Sequence, residues 1–481
     1  MSFCVPAVYL FAIVAVSLSA GCCGKMILNM EKMCIFALSL DFFYHSMCCM
    51  PKFFLLFFIV LSVTVPCCGQ DTVPMSLDSC LRYALLHNIS MQSARLNTLS
   101  SNADYEGAKM RFAPNVSANA SQSWGFRSGG TSSDRNCGIN ANVTLFDGLN
   151  NVRTLQLNRL ALSQSSLKEQ QNANQLYAQV VQAYLTILMN VERLAYQRKV
   201  LSTALKQRDE GAVKQQVGRI LESDYLLLDA NYLSAAANVE NTQLTLSGNR
   251  LALRTLLAMP VNVVPDAVRS SDTLHSSSYS LLPVDSVVTR AMANIPDLKI
   301  SQMNVEMARY SVQLAQSAFW PTLGFSAGGN YYGGSSGQVD GAGNIITASG
   351  FNGSVGLSLS IPIFNSGVTA TQVKRSKINL QQAQLQQYQT EMDLDKEIRD
   401  QYVATAQSLN QFRGSEQMAL AYKASYEVYA LKYEQGTVTT VEMLQQQDRY
   451  LSALNDYLIN KYSFILNQQL LNIYMGVPCS L

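Results

Sequence analysis

The feature that most limits how this chain can fold is a tandem duplication. The junction VTLFDGLNN at 143–151 returns as IPIFNSGVT at 361–369. The residues around both copies also correspond, with an offset of 207 between Asp78 and Asp285 and of 218 between Gly218 and Gly436. The extra residues, about eleven, fall in the Gly-rich tract at 331–350. A long internal repeat predicts two copies of one structural unit rather than several unrelated domains.

Charge and residue usage exclude several functional classes. The 481 residues carry 35 Lys and Arg against 33 Asp and Glu, whereas a nucleic-acid-binding surface needs a basic face. We therefore expect no nucleic-acid partner. The sequence has no Gly-rich phosphate loop, no nucleophile-elbow serine and no cluster of His, Cys and Asp residues. We expect neither an enzyme nor a cofactor.

Cysteine and histidine usage predicts neither a disulfide framework nor a metal site. Eight of the 11 cysteines precede Gln70, which leaves Cys80, Cys137 and Cys479 widely scattered over the rest of the chain. The three histidines are not in any paired spacing typical of metal ligands.

The N-terminal region has the pattern of an export signal. Two apolar runs, 5–21 and 53–65, are each shorter than the roughly 20 residues that cross a bilayer as a helix. The second has Lys52 on its N-terminal side and small residues before Gln70, as in a secretory signal peptide. We therefore expect the chain to leave the cytoplasm.

The true start of translation is a separate hypothesis. We expect it near Met47 or Met50, because the second apolar run would then be the core of the signal peptide. An alternative is lipid attachment at Cys22 within LSAGC, although Ser19 is a poor residue three positions before the cysteine.

Two segments free of proline predict very long helices. They run from Asn151 to about Gln216 and from Val368 to about Glu434. Each would span on the order of 100 Å at ~1.5 Å per residue. Both contain a coiled-coil seam, in which residues to be buried recur at alternating spacings of three and four: Tyr177, Val180, Tyr184, Ile187, Val191 and Leu194, then Leu394, Ile398, Tyr402, Thr405, Leu409 and Phe412. Shorter helical partners are predicted at 76–112, 221–257, 285–318 and 439–474.

Between the helices the apolar period changes to two. Apolar residues alternate with Asn, Ser, Thr or Gly at Ile139, Ala141, Val143 and Leu145, and at Phe351, Val355, Leu357, Leu359, Ile361 and Ile363. Each run is near the 9–11 residues of a tilted transmembrane strand with lipid on one side and water on the other. Their hairpin partners are predicted at 115–126 and 322–332. The tips, 127–136 and 333–350, are rich in Gly, Ser and Asp and are expected to be exposed loops.

One such strand alone is equally typical of a soluble β-sandwich. Here four strands are predicted and no other β segment is, so they cannot close a barrel by themselves. An open sheet edge in lipid leaves backbone groups unpaired at several kcal/mol each. We therefore expect copies of the chain to share one barrel, and physical reasoning alone accepts two, three or four subunits.

At this point the residues resemble a known family, the TolC-like outer-membrane efflux proteins. The likeness covers Ser76 to Pro478: the duplication, the strand starts at Pro114 and Pro321, the strand-to-helix exits at 146–148 and 364–367, and two helix-tip turns. The resemblance implies an α+β membrane protein, a homotrimer with a 12-stranded transmembrane β-barrel in outer-membrane lipid. An α-helical coiled-coil barrel would continue it through the periplasm. It also implies a passive duct that docks to an inner-membrane pump through a periplasmic adaptor, or membrane fusion, protein.

The expected organisation follows from the repeat. Residues 1–69 are a leader, 70–262 the first repeat, 263–283 a Ser-rich connector and 284–481 the second repeat. The hairpins are expected at 113–147 and 319–365, and the tip turns at 211–220 and 434–440.

The two tip turns are the candidate docking surface. QQVGRILESDYL at 215–226 and KYEQGTVTTVEML at 432–444 are similar to the periplasmic turns of the family. The resemblance implies that the adaptor contacts six residues: Val217, Gly218, Arg219, Gln435, Gly436 and Thr437. A simpler interpretation is that the glycines only end helices, because glycine enters the left-handed conformation at little cost. The two interpretations are compatible.

The candidate gate lies six residues past each glycine, at Asp224 and Glu442. The resemblance implies that symmetry copies of these acids line the narrow end of the tunnel and attract cations. The family can carry another carboxylate one helical turn beyond Glu442, where this chain has Gln445. A simpler interpretation makes both acids first-turn residues that complement a helix dipole.

Two functions from different classes therefore compete. The first is an outer-membrane exit duct for small toxic molecules or secreted peptides, with its helical portion in the periplasm. The second is an oligomeric coiled-coil surface stalk or adhesin on a β-barrel anchor. Two helical turns facing the periplasm favour the duct, because a stalk would place its coil on the extracellular side.

Overall fold

The computed structural model describes residues 71–127, 130–268, 279–339 and 345–477. The predictions for the leader, for residues 269–278 of the Ser-rich connector, and for Pro478 and Cys479 lie outside these ranges.

The same six-element order occurs twice. The first repeat contains α1 (Leu77–His87), α2 (Ile89–Met110), β2 (Asn115–Arg127), β3 (Gly130–Phe146), α3 (Asn150–Gln216) and α4 (Glu222–Leu257). The second contains α5 (Val284–Asn294), α6 (Pro296–Ser317), β5 (Thr322–Val339), β6 (Ile345–Ser360), α7 (Val368–Glu434) and α8 (Thr440–Met475). Two short strands, β1 (Asp71–Met75) and β4 (Val263–Ala267), precede α1 and follow α4.

The two long helices, α3 and α7, contain 67 residues each, which corresponds to about 100 Å. The predicted seams are confirmed, because all twelve of their residues are buried or pack against buried residues. Val180, Ile187, Ile398 and Phe412 are completely buried. No helix in the described ranges combines the length and apolar character needed to cross a membrane.

The short leading helices are split, which corrects the prediction of continuous helices at 76–112 and 285–318. In the first repeat Asn88 ends α1 and caps α2, since its side chain accepts hydrogen bonds from the Ser90 and Met91 amides at 2.8 and 3.3 Å. Its amide also donates to the Leu256 carbonyl at 2.7 Å. In the second repeat Pro296 is the first residue of α6. Proline is tolerated there because the first helical N–H has no partner within the helix.

Four strands form one antiparallel sheet in the order β2-β3-β5-β6. The two hairpins meet at the β3–β5 pair, where Asn140 is opposite Gly328 and Ala141 is opposite Ala327. The strands contain 13, 17, 18 and 16 residues, so they extend well into the tracts 127–136 and 333–350. The prediction of loops there was wrong in the described parts. Ladder pairing satisfies the backbone even where Gly and Ser dominate.

A parallel pair, β1–β4, corrects the expectation of only four strands and adds a strand within the predicted connector. It is held by the Tyr184 hydroxyl of α3, which donates to the Met75 carbonyl at 3.2 Å and the Val268 carbonyl at 2.8 Å. The equivalent Tyr402 of α7 donates to the Leu282 carbonyl at 3.0 Å. Each tyrosine thus fixes the chain just before a short helix.

Candidate functional site

Both helix-tip turns have the same backbone geometry. After α3, Gly218 has φ 70°, its N–H donates to the Gln215 carbonyl at 3.0 Å, and the Arg219 N–H donates to the Lys214 carbonyl at 2.8 Å. After α7, Gly436 has φ 73°, with the equivalent bonds to Tyr433 and Lys432 at 3.0 Å each. This is the Schellman motif, in which glycine supplies the left-handed residue past the helix end. The helix-ending role of both glycines is therefore observed.

The first turn is shorter than the predicted 211–220, because α3 continues to Gln216. Gly211 lies inside α3, and a Cβ there would be 2.6 Å from Cδ1 of Leu228 on α4. Its role is close helix packing rather than turning. The second turn lies between Glu434, which ends α7, and Thr440, which begins α8.

All six candidate docking residues are exposed: Val217, Gly218, Arg219, Gln435, Gly436 and Thr437. Val217 exposes 64% of its surface although it is apolar. Within the described residues, no atom lies within 4 Å of the Cβ position at Gly218 or Gly436. Both turns therefore present an exposed surface at the far end of the coils.

The two tips also contact each other. The Lys214 ammonium of α3 lies 5.0 Å from the ring centroid of Tyr433 on α7, which is cation–π distance. These residues are far apart in sequence, and no local pattern could have predicted the contact. It joins the ends of the two repeats within one chain.

Glu442 is a capping residue in the first turn of α8. Its carboxylate accepts hydrogen bonds from the Thr439 backbone N–H at 2.8 Å and the Thr439 hydroxyl at 2.9 Å. The Thr439 hydroxyl oxygen in turn accepts from the Glu442 N–H at 3.3 Å. These bonds hold the pKa of Glu442 below its usual value, and the bond from the backbone N–H has the larger effect. The Thr-x-x-Glu pattern of a capping box was readable in the sequence but was missed.

Asp224 and Gln445 have fewer constraints. Asp224 is half-exposed in the first turn of α4, whose cap residue Leu221 has no side-chain acceptor, so the acid complements a less well-capped helix end. Gln445 is exposed one turn beyond Glu442. The helix-terminus interpretation thus accounts for the position of both acids, and the gate assignment of all three residues stays a prediction.

The sheet has one apolar and one polar face, as the period of two predicts. Ile139, Val355, Leu357 and Leu359 lie on one face and are at least 62% exposed. Asn, Ser and Gly cover the other, where the Asn140 amide donates to the Asn119 side-chain oxygen at 3.1 Å. An exposed apolar face opposite a wettable one is typical of strands between lipid and water.

Comparison with known proteins shows which proteins the chain resembles. Residues 287–477 match the family model described as "Outer membrane efflux protein". The outer membrane efflux protein BepC of Brucella suis is 25% identical over 330 residues, which are 66% of this chain and 67% of BepC. The outer membrane protein TolC of Escherichia coli is 22% identical over 344 residues, 69% of each chain. The chain is thus similar to outer membrane efflux proteins, through the family model in its second repeat and through these relatives over a longer part of its length.

Solved structures have the same fold as this chain. The Campylobacter jejuni CmeC outer membrane channel matches with a TM-score of 0.69 and 19% identity, over 83% of this chain and 85% of CmeC. That coverage includes both repeats, so the predicted α+β channel fold is confirmed. The family model and the matched relatives are all described as outer membrane proteins.

Proposed function

We propose that this protein is the exit duct of a tripartite efflux or type I secretion system. It passively conducts small toxic molecules or secreted peptides from an inner-membrane pump to the exterior. The observation that carries the proposal is the direct continuation of a two-faced sheet into two 67-residue helices. One chain thus supplies both a part of the membrane barrel and a long periplasmic coiled coil, and these enclose one continuous path.

Copies of the chain complete the path. The described sheet has two edge strands, β2 and β6. Lipid cannot form hydrogen bonds with their unpaired backbone N–H and C=O groups. A homotrimer pairs these edges and closes a 12-stranded barrel. The free energy for transport comes from the pump, because the duct itself carries out no chemistry.

The tip turns bind the adaptor, and the acids form the gate. Docking through Val217, Gly218 and Arg219, with Gln435, Gly436 and Thr437, is supported by the exposure of both Schellman turns. A ring of Asp224 and Glu442 copies attracts cations at the narrow end. Gln445 replaces a possible further carboxylate, so the ring is less acidic than it could be. The hydrogen bonds from Thr439 lower the pKa of Glu442 and so favour its ionised form.

Affinity purification from cells, after mild cross-linking, tests the partners. We expect an adaptor and an inner-membrane pump to co-purify with the wild-type chain, and the pump's class would then narrow the cargo. Protease treatment of intact cells separates the duct from the surface stalk. The duct keeps α3 and α7 protected in the periplasm, whereas digestion of these helices in intact cells would support the stalk.

A further inference from the structure

The apolar face of the sheet forms a continuous band across all four strands. The strand register places its rows in order, from the pair Leu323 and Leu359 near the helices to the pair Tyr331 and Phe351 towards the hairpin tips. Among the described residues, this face carries no charged or amide side chain between these two rows. The band therefore has a sharp upper limit, where the first polar row begins.

The first polar row contains an arginine. Arg135 on β3 is opposite Gln122 on β2 and Gly333 on β5, and Gly333 is opposite Ser349 on β6. From Leu323 to Gly333 the strand rises about 34 Å at ~3.4 Å per residue. With a strand tilt of ~40°, this is about 26 Å along the membrane normal, close to the ~25 Å height of the apolar band on a transmembrane barrel. Arg135 thus lies at one boundary between hydrocarbon and water.

Hydrogen bonds across the hairpin hold the Arg135 side chain. Its Nε donates to the Gln122 side-chain oxygen at 3.0 Å, and the Gln122 amide nitrogen donates to the Ser133 hydroxyl at 2.9 Å. Within the described ranges, no hydrogen bond uses Nη1 or Nη2 of Arg135. The guanidinium is therefore fixed at one nitrogen, and its two terminal nitrogens stay available as donors.

The positive charge of Arg135 has no acidic partner on its face. Asp134, the next residue in the chain, lies on the polar face, where its Oδ1 is 2.6 Å from the Cβ position of Gly334. Successive residues of a strand point to opposite faces, so this carboxylate is directed away from Arg135. In the part of the chain that the structure describes, no carboxylate forms an ion pair with Arg135. The site therefore fits an anion from outside the protein.

Aromatic side chains on the same face mark the depth of this site. Tyr331 and Phe351 lie in the row below Arg135, and Trp124 lies in the row above it, opposite Ser133. All three rings are exposed. Aromatic rings concentrate at the level of the lipid headgroups, where an arginine is tolerated far better than at the centre of the bilayer. β3 is an inner strand of the sheet, so its outward face stays on the outside of a closed barrel.

We propose that Arg135 binds the phosphate group of an anionic membrane lipid on the outside of the barrel. This inference rests on the proposed function, which places the sheet in a membrane. Nη1 and Nη2 donate to two phosphate oxygens, the arrangement that a guanidinium favours, and the acyl chains lie on the apolar band below. Gln122 is a positioning residue, because it fixes the guanidinium without touching the lipid. The Ser133 hydroxyl, which accepts from Gln122, has its own proton free to donate to the same phosphate.

Tryptophan fluorescence tests the site, because Trp124 is beside it and Trp320 is the only other tryptophan of the chain. Full-length protein with Trp320→Phe is reconstituted into phosphatidylcholine vesicles that contain a small fraction of phosphatidic acid brominated just below the headgroup. A second preparation contains the same fraction of phosphatidylcholine brominated at the same position. We expect phosphatidic acid to quench Trp124 roughly five times more efficiently, since one cation near the surface gives a preference of that order for an anionic lipid.

Three variants in the same background identify the group responsible. Arg135→Gln should abolish the preference for phosphatidic acid, and Arg135→Lys should keep a part of it, because lysine retains the charge but not the two-point geometry. Arg159→Gln is the matched control, since it removes one positive charge from the exposed surface of α3. We expect this control to quench like the parent protein. Native electrophoresis establishes that each variant forms the same oligomer.

The possible failures can be told apart. Equal quenching by the two brominated lipids, or a preference that survives Arg135→Gln, would overturn the phosphate site while the duct proposal stands. Loss of the preference in excess inorganic phosphate would assign the site to soluble phosphate and overturn its assignment to a lipid. Inserted oligomers in which neither lipid quenches Trp124 would contradict a lipid-facing band, and the proposed duct with it.

Discussion

Each strand-to-helix junction contains two consecutive residues with positive φ. They are Gly148 (65°) and Leu149 (69°) in the first repeat, and Ser366 (56°) and Gly367 (77°) in the second. This conformation costs a residue with a side chain about 1–2 kcal/mol. Each copy therefore has glycine at one of the two positions. The first needs it at Gly148, where Trp320 and the Ser317 carbonyl leave no room for a Cβ.

Alanine substitutions at the two glycines should therefore differ. Gly148→Ala and Gly367→Ala share the strain of positive φ, but only the first would place a Cβ 2.6 Å from the Trp320 Cβ and 2.8 Å from the Ser317 oxygen. We expect Gly148→Ala to lower the free energy of unfolding by roughly 1–3 kcal/mol more than Gly367→Ala. Denaturant titration of the detergent-solubilised variants measures this difference in the free energy of unfolding. Equal losses would show that the contact with Trp320 is unimportant.

Substitutions of Glu442 distinguish a gating role from a capping role, because glutamine can replace glutamate in a capping box but carries no charge. Glu442→Gln should reduce block by a trivalent cation in single-channel recordings and leave unfolding nearly unchanged. Glu442→Ala should reduce the block and also weaken the start of α8. Unchanged block in the glutamine variant would eliminate the cation ring.

The pH dependence of the block follows from the direction of the pKa shift. The bonds from Thr439 hold the pKa of Glu442 below its usual value. The stabilisation by these bonds is therefore present above the unfolded-state pKa of ~4.3 and is lost as the pH falls through the lower folded-state pKa. The block by the trivalent cation should persist as the pH falls to the folded-state pKa of Glu442 and should disappear only below that pKa. A block that fades near neutral pH would assign it to another group.

At the scale of elements, a largely buried ion pair joins the two repeats. The Lys461 ammonium on α8 lies 3.2 Å from both carboxylate oxygens of Glu192 on α3, and the two side chains are only 10% and 14% exposed. Two charges removed from water require each other, because either alone would be an uncompensated buried charge.

Removing one charge of this pair should therefore be worse than removing both. Lys461→Met alone should cost about 3–5 kcal/mol of unfolding free energy. Combining it with Glu192→Gln should recover a large part of that loss, because no unpaired charge remains. A double-mutant cycle by denaturant titration measures the coupling. Additive losses would mean that the pair contributes no specific interaction.

The sequence predicted the elements whose period continues over many residues. The seam containing Val180, Ile187 and Phe412 extends over enough turns to be unambiguous. The split at Asn88 was missed because its side chain bonds the distant Leu256 carbonyl as well as the local amides that it caps. The β1–β4 pair was missed because strands of five residues carry little pattern.

The candidate site could be predicted only in part from the sequence, because some of its contacts join residues that are distant in the chain. The glycines of both tips and the acids after them follow from local sequence. The contact of Lys214 with Tyr433 brings together two helices distant in sequence, so only the folded chain reveals it. Strand lengths were underestimated because Gly and Ser disfavour strands locally, whereas pairing across the hairpins outweighs that preference.

At the scale of the whole molecule, the tips should act on transport without acting on assembly. Arg219 is exposed in the first tip turn, far along the chain from the sheet. Arg219→Glu should leave the oligomer and the barrel intact and lower efflux, because it reverses one charge on the adaptor-facing surface. Drug-susceptibility assays with native electrophoresis on the same cells measure both. Normal efflux with weakened oligomers would refute the docking assignment.

The most direct test of the account is conduction by the purified protein. Incorporated into planar lipid bilayers, it should produce discrete current steps of uniform size, since each assembled barrel forms one water-filled path. A trivalent cation should block the current when added on the side of the helices and much less from the other side. Inserted, oligomeric protein that gives no current steps would contradict the proposal that this chain is a duct.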